Sequence, residues 1–226
     1  LAIMLAGCQP ITTNTTELTP ATKIPPKKIP PNIQFTGVVS QINAANASNS
    51  IDLIGHKNQV IDLAFSRDGS VLASASYDKT VHLWPVGSDT NPIILRGHTK
   101  GVHSVAVSPR GRYIASGGWD RQVILWDALT GKKYKKFRRH RKGISALSFT
   151  PNGKLILTGD YGGRLNVWNV KTGKLLGTLY GHKLAIQAIV VSPDGKVAAS
   201  AGADGYIRIW DLASLAEVKN IRGHKG

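Results

Sequence analysis

The sequence has one cysteine, few acidic residues and no long apolar run. A single cysteine among 226 residues excludes a disulfide within the chain. No stretch approaches the roughly 18–20 apolar residues that a membrane-spanning helix needs. Only 13 acidic residues stand against 29 Lys and Arg, so the formal net charge is +16. This imbalance favours acidic partners such as nucleic acid, anionic lipid or an acidic protein.

Motifs that carry chemistry are also missing. The chain contains no GxSxG, no Walker loop, no HExxH and no CxxC. We therefore predict a non-enzymatic protein with no catalytic residue, no metal site and no cofactor.

A repeat of 42 residues organises most of the chain. It is marked by tryptophans, by histidines and by turn segments that all keep the same step without insertion or deletion. The landmarks are Trp84, Trp126, Trp168 and Trp210; His56, His98, His140, His182 and His224; and SRDG, SPRG, TPNG and SPDG from 66, 108, 150 and 192. Such regular self-similarity is the signature of a repeat architecture.

Each period predicts four short strands. In the second period these cover 102–108, 113–118, 122–128 and 134–138, with alternating apolar residues and Gly-bearing turns between them. One such sheet cannot bury both of its faces, whereas copies stacked around an axis can. The expected fold is all-β, a propeller with four four-stranded blades.

Paired residues within the repeat resemble the WD40 family across 49–226. Gly-His pairs occur at 55–56, 97–98, 181–182 and 223–224, and Trp-Asp pairs at 126–127 and 210–211. Two copies depart from the pattern, with Trp84-Pro85 and Trp168-Asn169. The resemblance implies a WD40-type β-propeller that acts as a scaffold for protein–protein interactions.

In this family a His, a Ser or Thr, a turn Asp and the Trp form a hydrogen-bonded network inside each blade. The resemblance assigns it to His56, Ser74, Asp78 and Trp84; His98, Ser116, Asp120 and Trp126; His140, Thr158 and Trp168; and His182, Ser200, Asp204 and Trp210. In the third blade Gly162 replaces the Asp and Arg139 replaces the Gly. We therefore expect the third blade to be the least rigid, and Gly162→Asp to raise its melting temperature.

The family's partners commonly bind the face formed by the loops between outer and inner strands. The matching candidates are Gln59, Ile61, Tyr77, His103, Trp119, Ser145, Tyr161 and Gln187, together with Gly101, Gly143, Ala185 and Ala203. Large aromatic side chains are typical interface anchors, and we expect partner binding to centre on Trp119. Ordinary packing of the turns is the alternative for the aromatic residues.

The repeats predict an incomplete ring. Residues 49–54 resemble the outer strands at 91–96 and 218–222, yet the fourth blade already has its own outer strand. We expect a fragment whose ring needs about three further repeats, roughly 126 residues at this step. A closed four-bladed ring is the alternative.

The N-terminal segment Leu5-Ala6-Gly7-Cys8 looks like a bacterial lipobox, in which the peptidase cleaves before the cysteine and its thiol carries diacylglycerol. A linker rich in Pro, Thr, Ser and Asn follows over 9–48 and suits a tether. We expect a partial signal peptide at 1–8, lipidation of Cys8, and a membrane-anchored lipoprotein facing the periplasm or cell surface. Gln9, which is not Asp, favours the outer membrane. An accidental apolar start would leave the protein cytoplasmic.

Eight of the eleven residues from Lys132 to Lys142 are basic and none is acidic. They are Lys132, Lys133, Lys135, Lys136, Arg138, Arg139, Arg141 and Lys142. Such a run either protects an edge strand from pairing with other chains or docks a polyanion. In an exported protein the expected polyanion is anionic lipid rather than nucleic acid.

Two other functions remain as alternatives to the scaffold. The chain is also consistent with a fragment of an enzyme whose catalytic part lies elsewhere, or with a cytoplasmic propeller that binds nucleic acid.

Overall fold

The computed structural model describes residues 52–88 and 90–223, which form sixteen strands in four antiparallel sheets. Blade 1 consists of β1 (Val60–Phe65), β2 (Val71–Ser76), β3 (Thr80–Pro85) and β4 (Ile93–Arg96). Blade 2 consists of β5 (Val102–Val107), β6 (Tyr113–Gly118), β7 (Val123–Asp127) and β8 (Lys133–Phe137). Blade 3 consists of β9 (Ile144–Phe149), β10 (Leu155–Asp160), β11 (Leu165–Asn169) and β12 (Leu175–Leu179). Blade 4 consists of β13 (Ile186–Val191), β14 (Val197–Gly202), β15 (Tyr206–Asp211) and β16 (Ala216–Arg222).

Each blade is a meander in which consecutive strands pair, so the fold expectation is confirmed. The first turn of every blade places a glycine at positive φ, as at Gly69 with φ 70°. In that turn the side chain of Asp68 accepts hydrogen bonds from the hydroxyls of Ser66 and Ser70. Glycine adopts this backbone conformation without steric cost, which explains its place in the repeated turn.

The hydrophobic core lies between neighbouring blades rather than within one. Leu83 and Leu95 of blade 1 pack with Val105, Ile114 and Trp126 of blade 2. Positions 42 and 84 residues further on form the two equivalent layers between blades 2 and 3 and between blades 3 and 4. Burial of apolar side chains from both sheets is therefore what holds successive repeats together.

Blades 1 and 4 each have one face that no neighbouring blade covers in the described part of the chain. Leu63 is 57% exposed, although its equivalents Val105, Leu147 and Ile189 are at most 9% exposed. On the other side, Ile207 is 38% exposed, although the residues at its position in blades 1 to 3 are fully buried. The ring is incomplete, as expected, and the alternative of a closed four-bladed ring is wrong.

The expected strand at 49–54 does not form over the part that the structure describes. Residues 52–54 carry no strand, and Leu53 and Ile54 are exposed. An outer strand needs a neighbouring strand to satisfy its backbone groups, and no described strand lies beside this segment. Among the described residues, no helix is long and apolar enough to cross a bilayer.

Candidate functional site

A hydrogen-bonded chain of side chains underlies the loop rim in each blade. In blade 2 the indole Nε1 of Trp126 donates to Ser116 Oγ at 2.8 Å, and Ser116 Oγ lies 2.8 Å from His98 Nε2. His98 Nδ1 lies 2.9 Å from the carboxylate of Asp120. The carboxylate is an acceptor, so Nδ1 carries the proton and Nε2 accepts from the serine hydroxyl.

The carboxylates of these chains are held in their charged form. Burial by itself raises the pKa of the Asp120 carboxyl, but the hydrogen bond from His98 and the backbone N–H groups of Thr99 and Gln122 outweigh it. The pKa of Asp120 therefore lies below its ordinary value. Blades 1 and 4 repeat the geometry with His56, Ser74, Asp78 and Trp84, and with His182, Ser200, Asp204 and Trp210.

The expectation that blade 3 lacks its carboxylate is wrong. Asp160, two residues before Gly162, accepts from His140 Nδ1 at 2.8 Å, and both side chains are fully buried. His140 Nε2 then lies 2.7 Å from Thr158 Oγ1, to which Trp168 donates at 2.8 Å. The strand end brings Asp160 to the place that the turn Asp occupies in the other blades. The backbone N–H of Gly162 donates to the same carboxylate.

Backbone hydrogen bonds fix the turns above these networks. The N–H groups of Tyr77, Trp119, Tyr161 and Ala203 donate at 2.8–3.0 Å to carbonyls of the preceding loop, at Gln59, Gly101, Gly143 and Ala185. Each turn between the second and third strands is thereby tied to the loop that enters its blade. Side chains that start from these turns are presented by a backbone that is already ordered.

Four aromatic side chains of three blades meet at this rim, which we call the aromatic rim: Tyr77, His103, Trp119 and Tyr161. Trp119 and Tyr161 stack with ring centroids 4.2 Å apart and 15° between the ring planes. Tyr161 Oη lies 2.6 Å from His103 Nε2, and the His103 ring meets both the Trp119 and Tyr161 rings edge-on. The ring centroids of Tyr77 and His103 are 6.3 Å apart.

Glycines allow this close approach. A Cβ added at Gly143 would lie 2.9 Å from the Trp119 ring, and one at Gly101 would lie 2.7 Å from the Tyr77 ring. Burial also lowers the pKa of the His103 imidazole, which favours the neutral ring in the cluster. Trp119 nevertheless remains 40% exposed, so the stacked pair offers an indole to solvent.

The structure separates the other candidates from this cluster. Gln59 and Gln187 are exposed and Ile61 is half-buried, and none of them joins the aromatic contacts. Ser145 is buried, and its hydroxyl donates to the carbonyl of Ile186 in the next blade at 2.6 Å. The expectation that Ser145 contacts a partner is therefore wrong, because it links blades 3 and 4 instead.

The charge around the aromatic rim is positive. Its turns carry seven exposed cations: Lys57, Lys79, Lys100, Arg121, Arg141, Lys142 and Lys183. The carboxylates of Asp78, Asp120, Asp160 and Asp204 are bound to the network histidines. The rim therefore presents a stacked indole and phenol among seven cations, which outnumber the four carboxylates beneath the turns.

His82 is a buried polar residue that the repeat pattern did not single out. Its ring stacks on His56 at 3.7 Å, and its Nδ1 has no hydrogen-bond partner within the described residues. Together with Asp78 the two histidines bring three groups that can bind a metal within 4.8 Å of one another. Both nitrogens of His56 are already bound, to Asp78 and Ser74, so a metal there would have to break the network.

A cavity lies at the rim opposite the aromatic rim. It encloses about 470 Å³ between the first turns of blades 1 and 2, and Asp68 and Arg110 are among its lining residues. The carboxylates of Asp68 and Asp127 already accept hydrogen bonds within their own turns, and Arg110 and Arg112 also line this cavity. Cys8 and His224 lie outside the described residues.

Comparison with known proteins places the repeats in a family. A family model described as "WD domain, G-beta repeat" matches residues 48–85, 90–127, 131–169 and 173–211. WD repeat-containing protein 18 of Bos taurus and of Homo sapiens is each 62% identical over 34 residues. That match covers 15% of this chain and 8% of the relative's length. Because the family model spans well over half of the sequence, the chain belongs to the WD40 family.

Proposed function

We propose that this WD40 protein is a non-enzymatic scaffold whose aromatic rim binds an acidic segment of a protein partner. Propellers of this family act generally as interaction scaffolds. The observation that carries the proposal is the stacked Trp119–Tyr161 pair, half-exposed in the midst of seven cations. Aromatic residues ringed by polar groups are typical binding hot spots, and complementary charge sets the choice of partner.

Order in the unbound rim supports a binding role. The Trp119 ring is fixed by Tyr161, and its backbone N–H is bound to Gly101. Blade 2 also keeps a complete network beneath the turn. A partner that covers a preordered indole loses little additional conformational entropy on binding.

The test compares Trp119→Ala with Tyr134→Ala in quantitative pull-downs and thermal melts. Tyr134 is the matched control because it is 43% exposed but lies on the outer strand β8, away from the rim. Truncation of an interface anchor typically costs about 2 kcal/mol or more, which is roughly thirtyfold in affinity. Trp119→Ala should lose a partner that Tyr134→Ala retains, and that partner should dissociate more readily as salt rises.

Two results would contradict this assignment. Equal loss of the partner in both variants would show that Trp119 is not its anchor. A melting temperature for Trp119→Ala as low as that of the core variant Trp126→Ala would show that Trp119 supports the fold instead.

We further propose that the scaffold is anchored to a bacterial membrane through lipidated Cys8, after removal of Leu1–Gly7. The support is the Leu-Ala-Gly-Cys run followed by the Pro- and Thr-rich linker. Metabolic labelling with a palmitate analogue should mark the wild-type protein. Label that persists in Cys8→Ser would refute anchoring at this residue.

A further inference from the structure

A basic cleft opens at the circumference of the propeller between the outer strands of blades 2 and 3. It encloses about 420 Å³, and its lining includes Lys136, Arg138, Arg139 and Lys174. Phe137, Trp168 and Leu175 form its apolar part, with Gly173 at the turn beside it. None of the lining residues is acidic. The cleft thus combines an apolar floor with four cationic side chains.

The repeat provides an internal comparison, since each junction between blades carries the same positions. Where this cleft has Lys136, Arg138, Arg139 and Lys174, the junction of blades 1 and 2 has Ile94, Arg96, Gly97 and Lys132. The junction of blades 3 and 4 has Thr178, Tyr180, Gly181 and Ala216. The fold therefore does not require four cations at these positions.

The other two junctions are also filled by their own side chains. Between blades 1 and 2, Lys133 lies over the Trp126 ring and against Gly97. Between blades 3 and 4, Arg208 reaches Gly181 and pairs with Glu217 at 2.6 Å. The residue that corresponds to Lys133 and Glu217 in the basic cleft is Leu175, which leaves the cleft open.

The cations of the cleft lack carboxylate partners among the described residues. In that part of the chain, the one ion pair that joins Lys or Arg to a carboxylate is Arg208–Glu217. Four neighbouring cations without counter-charge repel one another at a cost in stability. Arginine forks bind phosphate oxygens in two parallel hydrogen bonds, so a phosphate group would offset this repulsion.

Exposed aromatic and apolar residues occur on the two outer strands that border the cleft. Tyr134 lies on β8 and Leu176 lies on β12, and both side chains are exposed. Tyrosine is enriched where proteins meet the headgroup layer of a bilayer, and an exposed leucine adds apolar area that can enter it. This combination favours a lipid surface over nucleic acid. Proteins recognise nucleic acid by contacting base edges in its grooves or by stacking aromatic side chains on unpaired bases.

We propose that the basic cleft binds the phosphate headgroup of an anionic phospholipid, so that blades 2 and 3 lie edge-on against a membrane. The inference rests on the membrane anchoring proposed above, and it identifies the surface of the propeller that contacts the membrane. In that orientation the outer strand β8 faces lipid, while the aromatic rim on another side of the blades stays open to a protein partner.

The test uses the Cys8→Ser chain, so that binding cannot come from an acyl anchor. Flotation is measured with vesicles of phosphatidylcholine alone and of phosphatidylcholine with phosphatidylglycerol. The cleft variant Lys136→Thr/Arg139→Gly/Lys174→Ala takes the residues of the next junction, where the same fold tolerates them. The control variant Arg110→Asn/Lys154→Ser/Lys196→Ser removes three exposed cations from the first turns of blades 2 to 4, away from both the cleft and the aromatic rim.

We expect binding to the anionic vesicles only, and a loss of roughly tenfold or more in the cleft variant. Each cation near an anionic surface contributes about 1 kcal/mol, which is roughly fivefold in binding. The control variant should lose clearly less, because its cations lie on other surfaces. Neither variant should melt below the parent, which excludes misfolding as the cause, and the cleft variant should melt slightly higher because repulsion among its cations is relieved.

Several outcomes would overturn the inference. Equal losses in the two triple variants would show attraction by net charge rather than a site. Saturable binding of inorganic phosphate by the cleft, with no binding to the anionic vesicles, would identify free phosphate as the ligand. Loss of duplex DNA binding by the cleft variant, with its vesicle binding intact, would identify nucleic acid as the ligand of the cleft. Vesicle binding by the Cys8→Ser chain supports the cleft even if Cys8 of the wild-type protein is not labelled. Partner capture is measured without vesicles, so a failure of the proposed scaffold function can be distinguished from a failure of the cleft.

Discussion

At the scale of single residues, blade 3 exchanges two positions of the repeat and keeps the same chemistry. Blades 2 and 4 carry Gly118 and Gly202 where blade 3 has Asp160, and they carry an Asp where blade 3 has Gly162. Asp160 completes the network from the strand end rather than from the turn. The carboxylate is therefore conserved in space although it moves by two residues along the chain.

Asp160→Gly should destabilise blade 3 strongly, because it leaves the buried His140 Nδ1 without its acceptor. Removing one member of a buried, hydrogen-bonded pair costs about 3 kcal/mol or more. The double variant Asp160→Gly/Gly162→Asp restores the order of the other blades and should recover most of the loss in thermal or urea unfolding. Gly162→Asp alone should not stabilise, since its Cβ would lie 3.3 Å from the Asp160 carboxylate. A rise in melting temperature for that single variant would contradict this account.

His82 should make the protein sensitive to mild acid. Burial lowers the pKa of the imidazole to about 4, with the neighbouring His56 acting in the same direction. The unfolded chain takes up this proton near pH 6.5 and the folded chain near pH 4, so stability should fall as pH drops between these values. His103, whose pKa burial also lowers, adds to the same fall. The network carboxylates, with lowered pKa values, contribute stability that is lost only at lower pH.

His82→Ile installs the residue that blade 2 has at this position, Ile124. It removes the unpartnered buried Nδ1, and we expect a gain of about 1 kcal/mol at pH 7. Urea unfolding measured from pH 4 to 7 should show a shallower pH dependence for this variant. An unchanged slope would assign the acid sensitivity to other groups.

At the scale of elements, the rim turn of blade 2 depends on a glycine in the next blade. Gly143→Ala should displace the Trp119 ring, because the new Cβ would come within 2.9 Å of it. We expect a changed tryptophan fluorescence spectrum and weaker partner capture, by roughly tenfold for a loss of about 1.4 kcal/mol. Retained partner affinity in Gly143→Ala would show that the stacked geometry is not needed for binding.

Neighbouring residues of the outer strand β8 lie in two different environments, the interface between blades and the surface. Phe137 is buried against Trp168 of the next blade, with ring centroids 5.1 Å apart, whereas Lys136 lines the basic cleft. Lys133 and Lys135 lie over aromatic rings of their own blade. Because β8 is the edge of its sheet, its cations also discourage pairing with other chains. Edge protection and lipid binding are therefore compatible on this strand.

At the scale of the whole molecule, the open faces of blades 1 and 4 expose the kind of surface that the inner junctions bury. Phe65 is 63% exposed in β1, whereas Phe149 at the same position of blade 3 is 8% exposed. Contiguous apolar area of this sort promotes association. The 226-residue chain should self-associate, and Phe65→Gln/Ile207→Gln should reduce this in sedimentation velocity with little change in melting temperature. Unchanged sedimentation would show that these faces do not mediate contact.

The repeat, the number of strands in each blade and most of the network were predictable from the amino-acid sequence, because they depend on positions within one 42-residue unit. Even the exchange at Asp160 and Gly162 was visible as an Asp displaced by two residues, but strand-end geometry was needed to show that it still reaches His140. The burial of Ser145 could not be foreseen, since its acceptor Ile186 lies 41 residues away in the next blade.

Contacts between residues of different blades could not be predicted from the sequence and depend on how the blades pack. His103 and Tyr161 are 58 residues apart, and stacking of successive sheets brings them within hydrogen-bonding distance. The same stacking sets Arg138 and Arg139 of the blade 2 edge beside Lys174 of blade 3. Local sequence patterns encode strands and turns, whereas a surface formed at a junction depends on side-chain volumes in both sheets at once, and that is settled only when the blades pack.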